Sequence, residues 1–313
     1  MMHAPQVSVI VPNYNHQKFL PKRLDSIFNQ TYQNFEVILM DDASSDESVK
    51  ILKNYNNHPK VSHLVINALN SGSPFHQWKK GIDLAIGEFI WIAESDDYCD
   101  YNFLEELISL TRSYNLKHEN GVIYSQSYDV NEYGEIIKSR LDYTADFDPN
   151  IWSKTFKLSG KDFIDKYLKV KNVIPNASAV LFKKSLVDKS TFALNLLNMR
   201  MCGDWLFWIR LCNKTNVGFL SKPLNYFRGH DYSSRIHDTK DKKINRLIEE
   251  SVIRRYLQTN KVAQKEENER LLRKWFQLQT KYDLIMGRIF KIGSGKYDYF
   301  RLLKEFLIYK LNI

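Results

Sequence analysis

Cysteine is scarce in this chain. Three residues in 313, Cys99, Cys202 and Cys212, are too few and too scattered for a disulfide framework or a four-ligand zinc site. A reducing compartment is the simplest setting. Glycine and proline are also few, at 12 and 8, which excludes collagen-like and proline-rich architectures. No run of about 18 uncharged apolar residues occurs, so no membrane span is expected. The first residues enter a strand-like run without a basic-then-apolar leader, so a secretory signal is not expected either. The dinucleotide fingerprint G-x-G-x-x-G and the phosphate loop G-x-x-x-x-G-K-[ST] are both missing, which argues against a nicotinamide dehydrogenase and a P-loop NTPase. A cytoplasmic chain is the expectation.

What is present is apolar and aromatic: 43% and 13% of the residues, enough for a large packed core. The net charge of +9 is unevenly placed. Residues 239–313 hold 18 Lys and Arg against 9 Asp and Glu, so the whole surplus lies there and residues 1–238 balance to zero. A uniformly basic nucleic-acid binder would not divide its charge in this way. The pattern predicts a neutral unit over 1–238, with halves of about 1–130 and 131–238, followed by a basic helical region over 239–313.

Along the first unit, short β-branched runs alternate with segments of helical period. Residues 7–11, 35–40, 61–66, 89–93 and 121–130 read as strands; residues 20–28, 48–55, 78–86 and 101–114 read as helices. Strands separated by single helices imply right-handed crossovers and a mostly parallel sheet with helices on both faces, an α/β fold. Beyond residue 133 the pattern loosens. Residues 142–158 read as loop, 177–182 as a strand, 204–212 as an aromatic helix, and 217–220 and 225–227 as two short strands. From residue 241 onward helices are expected, broken at Gly293-Ser294-Gly295.

Ligands of parallel sheets bind at the carboxyl ends of the strands. Three polar clusters fall there: Pro12-Asn13-Tyr14-Asn15, Asp41-Asp42-Ala43-Ser44-Ser45-Asp46 and Glu94-Ser95-Asp96-Asp97. Asp46 or Ser45 also suits a helix N-cap. A cap does not account for adjacent carboxylates at a strand end, which must point to opposite sides, one toward a ligand and one toward the loop. Two acidic clusters at one sheet edge repel unless a cation neutralises them. A hard divalent ion, Mn²⁺ or Mg²⁺, suits such oxygen donors.

VSVIVPNYN, FEVILMDDASSD and NSGSPFHQWKKGIDLAIGEFIWIAESDD together resemble the family 2 glycosyltransferases of GT-A fold, across about residues 5–235. The resemblance implies that Pro12, Asn13, Tyr14 and Asn15 cradle a nucleotide, and that Asp42, beside Asp41, accepts from the uracil N–H. It implies Asp97 as metal ligand with Asp96 near the ribose or diphosphate; Glu94 departs from the Asp common at its position. Lys80 falls near a cation that faces the diphosphate. Gly203-Asp204-Trp205 resembles the acceptor-side motif whose carboxylate is the catalytic base, so Asp204 is the candidate base, a role compatible with capping its helix. Residues 226–235 resemble the segment that closes over the donor, with His230 reaching the metal or diphosphate and Arg228 and Arg235 pairing with phosphate. The remaining histidines and the three cysteines are assigned to packing or surface.

The implied reaction is a single inverting displacement, from a nucleotide-sugar donor, UDP-linked by this reading, to a glycan or lipid-linked acceptor of bacterial surface polysaccharide. A nucleotidyltransferase and a non-catalytic binding protein of the same fold are the alternatives. The former would show a Gly- and Arg-rich first loop where this chain has Pro12-Asn13-Tyr14. The aromatic, basic helices after residue 239 fit either packing on this chain or a second copy, or peripheral contact with an anionic membrane.

Overall fold

The computed structural model describes residues 5–112, 120–174, 176–193, 196–229, 239–292 and 296–311. The first half alternates as expected: β1 (Val7–Asn13), α1 (Leu20–Phe28), β2 (Phe35–Asp41), α2 (Ser48–Asn54), β3 (Val61–Ile66), α3 (Pro74–Leu84) and β4 (Phe89–Ile92). A two-residue strand, β5 (Tyr98–Cys99), precedes α4 (Phe103–Arg112), and β6 (Asn120–Val130) follows. The second half adds β7 (Ile136–Ser139), β8 (Phe156–Ser159), α5 (Gly160–Phe163), β9 (Val180–Lys183), α6 (Gly203–Cys212) and β10 (Asn216–Arg228). Among the described residues, α7 (Lys240–Thr259), α8 (Lys265–Leu278), α9 (Lys281–Ile285) and α10 (Lys296–Leu311) follow.

One sheet runs in the order β3-β2-β1-β4-β9-β6-β10-β5, with β7 beside β6 and β8 beside β10. The longest ladders are parallel: β1 with β2 over its whole length, and β6 with β10. β9 enters antiparallel between β4 and β6 and joins the two parallel blocks. Strand order reverses at β1, which has β2 on one side and β4 on the other. A crevice is therefore expected at the carboxyl end of β1.

Alternation along the strands sorts side chains to two faces. Ile10, Ile38, Ile90, Ile92, Tyr124 and Phe182 join Trp78 of α3, Trp208 of α6 and Ile253 of α7 on one face. Val9, Val11, Val37, Leu39, Trp91 and Leu181 join Leu24 of α1, Leu52 of α2 and Leu107 of α4 on the other. Helices thus cover both faces of a mixed α/β sheet with long parallel ladders.

Three local differences from expectation have physical causes. Pro12 and Asn13 continue β1, because pairing with Met40 and Asp41 extends the ladder past the proline. The two short strands expected around residues 217–227 are one, β10, with register shifts on either side of Pro223, where a missing N–H breaks the ladder. β8 lies where a loop was expected; it pairs with Asn216–Phe219 of β10, a partner invisible to local periodicity.

The basic region is not uniform. The carboxyl half of α7 packs in the main core through Ile253 and Leu257. Trp275 and Phe276 of α8 with Leu302 and Phe306 of α10 form a separate cluster, to which Leu247 of α7 contributes. No described helix is long and apolar enough to cross a membrane. The break expected at Gly293-Ser294-Gly295 lies outside the described residues.

Candidate active site

A cleft of about 680 Å³ opens at the carboxyl ends of β1 and β4. Pro12, Asn13 and Tyr14 line it from the end of β1, Glu94, Asp96 and Asp97 from the segment after β4, and Asp204 from the first turn of α6. Residues far apart in sequence, Pro12 and Asp204 among them, thus meet around one cavity at the point of order reversal.

The first turn is fixed by its neighbours. Asn13 Nδ2 donates to Asp41 Oδ2 at 2.8 Å, and Asp41 also accepts from the Ser44 backbone N–H at 2.8 Å and from Ser44 Oγ at 2.7 Å. Asn15, at φ 55°, accepts through Oδ1 from the Ser45 backbone N–H and ties the two turns together. Asp41 therefore holds the loop, while the Asn13 side-chain oxygen is buried without a hydrogen-bond partner. Asp42 points to the other side. It accepts from Asn67 Nδ2 at 2.7 Å and Ser71 Oγ at 2.7 Å, which anchors the segment after β3. Asp41, Asp42 and Asn15, expected on the nucleotide, are not among the residues lining the cleft; their side chains tie together the turns that shape it. The expected helix cap is met in part: Asp46 Oδ1 accepts from the Ser48 backbone N–H, although Glu47 stands at the N-cap of α2.

Asp97 is buried, with 1% of its surface exposed. One oxygen accepts from Asn176 Nδ2 and the other from the Arg228 backbone N–H at 2.9 Å. Burial, then the charge of Asp96, raises its pKa well above the carboxylate range. Glu94 accepts from the Trp78 indole at 2.8 Å and is pushed up to about 8, again by burial first and Asp96 second. Among the described residues no group of three or more His, Cys, Asp or Glu is arranged to hold a metal. Asp96 and Asp97 nonetheless supply the two hard oxygen donors with which Mg²⁺ or Mn²⁺ is usually bound beside substrate phosphates, and their repulsion favours a cation. The donor set fits such an ion.

Across the cleft, Asp204 accepts from Asn172 Nδ2 at 2.9 Å and from the Trp205 backbone N–H at 2.8 Å. Its pKa is raised to about 6, chiefly by burial. The N-cap of α6 is Cys202, and Asp204 sits inside the first turn. Gly203 lets this turn approach α3: a Cβ there would lie 2.3 Å from the Phe75 ring. Glu249 of α7 accepts the backbone N–H groups of Arg200, Met201 and Cys202 at 2.8, 2.9 and 2.7 Å, and so fixes the loop leading into α6.

Two further sequence-based assignments depart from the geometry. Arg228, expected on phosphate oxygens, is 2% exposed. It spends its guanidinium on the carbonyls of Asp96, Asn131 and Glu132, stiffening the acidic segment from behind. Lys80 is exposed and donates to Asn67 Oδ1 at 3.0 Å, away from the cleft lining. His230 and Arg235 lie outside the described residues. Conversely, His16, assigned to packing or surface, lines the cleft, and its Nδ1 is 2.8 Å from Ser95 Oγ. The three cysteines are buried and free, as expected. Sequence reading also missed Arg23, Asn176, Trp78 and Glu249. His16 adjoins the Pro12–Asn15 turn and was within reach of the argument; the others act through contacts distant in sequence.

Residues 8–189 match the family described as Glycosyl transferase family 2. The chain is 28% identical over 239 residues to poly(ribitol-phosphate) beta-N-acetylglucosaminyltransferase TarP of Staphylococcus aureus, covering 74% of this chain and 65% of that protein. It is 39% identical over 104 residues to glycosyltransferase GlyG of Streptococcus pneumoniae, covering 32% of this chain and 33% of the relative. It thus spans less than two thirds of the length of these relatives. The crystal structure of S. aureus TarS 1–349 with UDP-GlcNAc superposes with a TM-score of 0.59 at 17% identity, over 97% of this chain and 81% of that one, which shows the GT-A fold. With a family match across more than half its length, this chain belongs to glycosyl transferase family 2.

Proposed function

We propose that the chain is an inverting glycosyltransferase that moves a sugar from a UDP-linked donor to a hydroxyl of a glycan or lipid-linked acceptor in surface-polymer synthesis, working in the cytoplasm. The observation that carries this is the placement of Asp204 on the cleft wall facing Asp96 and Asp97, around one cavity at the strand ends. A UDP donor is supported by the UDP and UDP-GlcNAc complexes of the structurally similar TarS.

In this reading the turn at Pro12–Tyr14 receives the nucleoside, and Asp96 and Asp97 hold Mn²⁺ or Mg²⁺. When bound, that ion supplies electrostatic stabilisation of the leaving diphosphate. Asp204 takes the proton of the acceptor hydroxyl. The hydroxyl oxygen of the acceptor bonds to the anomeric carbon as the bond from that carbon to the diphosphate oxygen breaks, and the electron pair leaves with the nucleoside diphosphate. One displacement inverts the anomeric centre, and no covalent nucleophile is needed. A carboxylate with a pKa of about 6 is ionised at neutral pH yet basic enough for the task.

The test is UDP release from UDP-GlcNAc with Mn²⁺, against the same assay in EDTA. Metal-dependent UDP release supports the transferase. Pyrophosphate release from UTP would favour a nucleotidyltransferase, and neither product a binding protein.

A further inference from the structure

A second cavity, of about 760 Å³, lies behind Asp204, and its charge is opposite to that of the donor cleft. The two cavities share Met201, Asp204 and Phe227 in their walls. The donor cleft gathers Glu94, Asp96, Asp97 and Asp204. The second cavity gathers Arg140, Lys171, Lys243, Arg246, Arg270 and Lys274, against the acids Asp204 and Glu250 among the described residues.

These cations come from separate elements: the turn after β7, the loop before β9, α7 and α8. Half of them are matched. Arg140 pairs with Asp129 at 2.7 Å, Lys171 with Asp146 at 2.6 Å, and Arg246 with Glu250 at 3.5 Å. Lys243, Arg270 and Lys274 make no ion pair among the described residues. Cations spread only for solubility would face outward around the helices, and would not converge from four elements on the chamber beside a carboxylate base. Such convergence raises the local concentration of anions and orients them.

We infer that this cavity binds the acceptor, and that the acceptor is a polyanionic chain, its repeating phosphate or carboxylate groups held by Arg270, Lys274 and Lys243 while a neighbouring hydroxyl reaches Asp204. The inference rests on the reading of the cleft as a glycosyl-transfer site and adds the chemical class of the acceptor. It also gives the basic surplus after residue 239 a place in the reaction. A membrane surface would use the same charges, but the concave wall around Asp204 fits a strand of polymer better than a plane of headgroups.

The experiment measures fluorescence anisotropy of labelled oligo(glycerol phosphate), oligogalacturonate and neutral maltooligosaccharide with the full chain, at low and high salt. The variants are Arg270→Gln with Lys274→Gln, both on the exposed side of α8, and Lys50→Gln with Lys53→Gln on α2 as control. Tight, salt-sensitive binding of an anionic oligomer is expected, weakened roughly tenfold in the α8 variant and unchanged in the control; the tighter of the two oligomers identifies the anionic group. Equal binding of the neutral oligomer, or equal weakening in the control, overturns the proposal. So does binding only to phosphatidylcholine–phosphatidylglycerol vesicles, lost in the α8 variant, which would assign these cations to a membrane. UDP release by the unaltered chain reports separately: release without oligomer binding overturns the acceptor class alone, and binding without release overturns the transferase reading.

Discussion

Arg23 donates through Nε to the backbone carbonyl of Glu94 at 2.8 Å, from a side chain with no exposed surface. Its terminal nitrogens find no hydrogen-bonding oxygen among the described residues, and its guanidinium stands over the Trp91 ring. A buried cation thus sits beneath the acidic segment and lowers the proton affinity of both Glu94 and Asp97, against the larger effect of burial.

Stability should therefore fall as pH rises. Glu94 has a folded pKa of about 8 against an ordinary 4.5, and Asp97 shifts in the same direction. The folded chain holds protons that the unfolded chain releases, so this contribution is complete below the ordinary carboxylate pKa and disappears as pH passes through about 8. The melting temperature in EDTA should drop between about pH 5 and pH 8. Glu94→Gln should flatten that slope and Arg23→Met should extend it to higher pH. A slope that Glu94→Gln leaves unchanged would remove Glu94 from the account.

Asp97→Asn should abolish metal-stimulated UDP release. An asparagine has lost the charge, yet keeps an oxygen for the Arg228 N–H. Asp97→Ala is the poorer test, because it leaves the Arg228 N–H and Asn176 side chain unsatisfied in a buried site, at about 1–3 kcal/mol each. If Asp97→Asn responds to Mn²⁺ as the parent does, the metal assignment is wrong.

Asp204→Asn should bind UDP-GlcNAc normally and lose transfer by about 10²–10⁴-fold, the usual contribution of a general base. In the unaltered chain, kcat should fall as pH drops through about 6, where the carboxylate takes up its proton. Loss of donor affinity with turnover preserved at saturation would instead place Asp204 on the donor side.

Glu249→Gln should loosen the loop over residues 200–202, since a neutral amide has one oxygen where the carboxylate uses two. A loss of about 1–3 kcal/mol is expected. The kinetic signature is a lower kcat with donor KM little changed, because Glu249 supports the helix of the base rather than the nucleotide turn. A rise in donor KM alone would refute that role.

The alternating half of the fold was legible because each strand and helix carries its own hydrophobic period, and the strand-end clusters followed from topology. Asp96, Asp97 and Asp204 were singled out in this way or by resemblance, and all three line one cleft. Arg228 was misread because a motif names a residue without showing its partners, here three carbonyls on two segments. Arg23 and Glu249 left no local trace: each acts on backbone groups 47 to 71 positions away. β8 escaped for the same reason, its pairing lying in β10.

The anchoring of α7 has a bearing on how this chain could be recombined with its relatives. Charge alone draws a seam near residue 238, yet Ile253 and Leu257 lie in the main core and Arg254 donates to the carbonyls of Lys169 and Val170. A chimera joined at residue 238 would part the loop over residues 200–202 from Glu249, which holds it. Gln264 is tied back to the Arg254 carbonyl and Leu247 of α7 enters the cluster of α8 and α10, so an exchange of α8 to α10 between family members would have to carry the matching face of α7 with it.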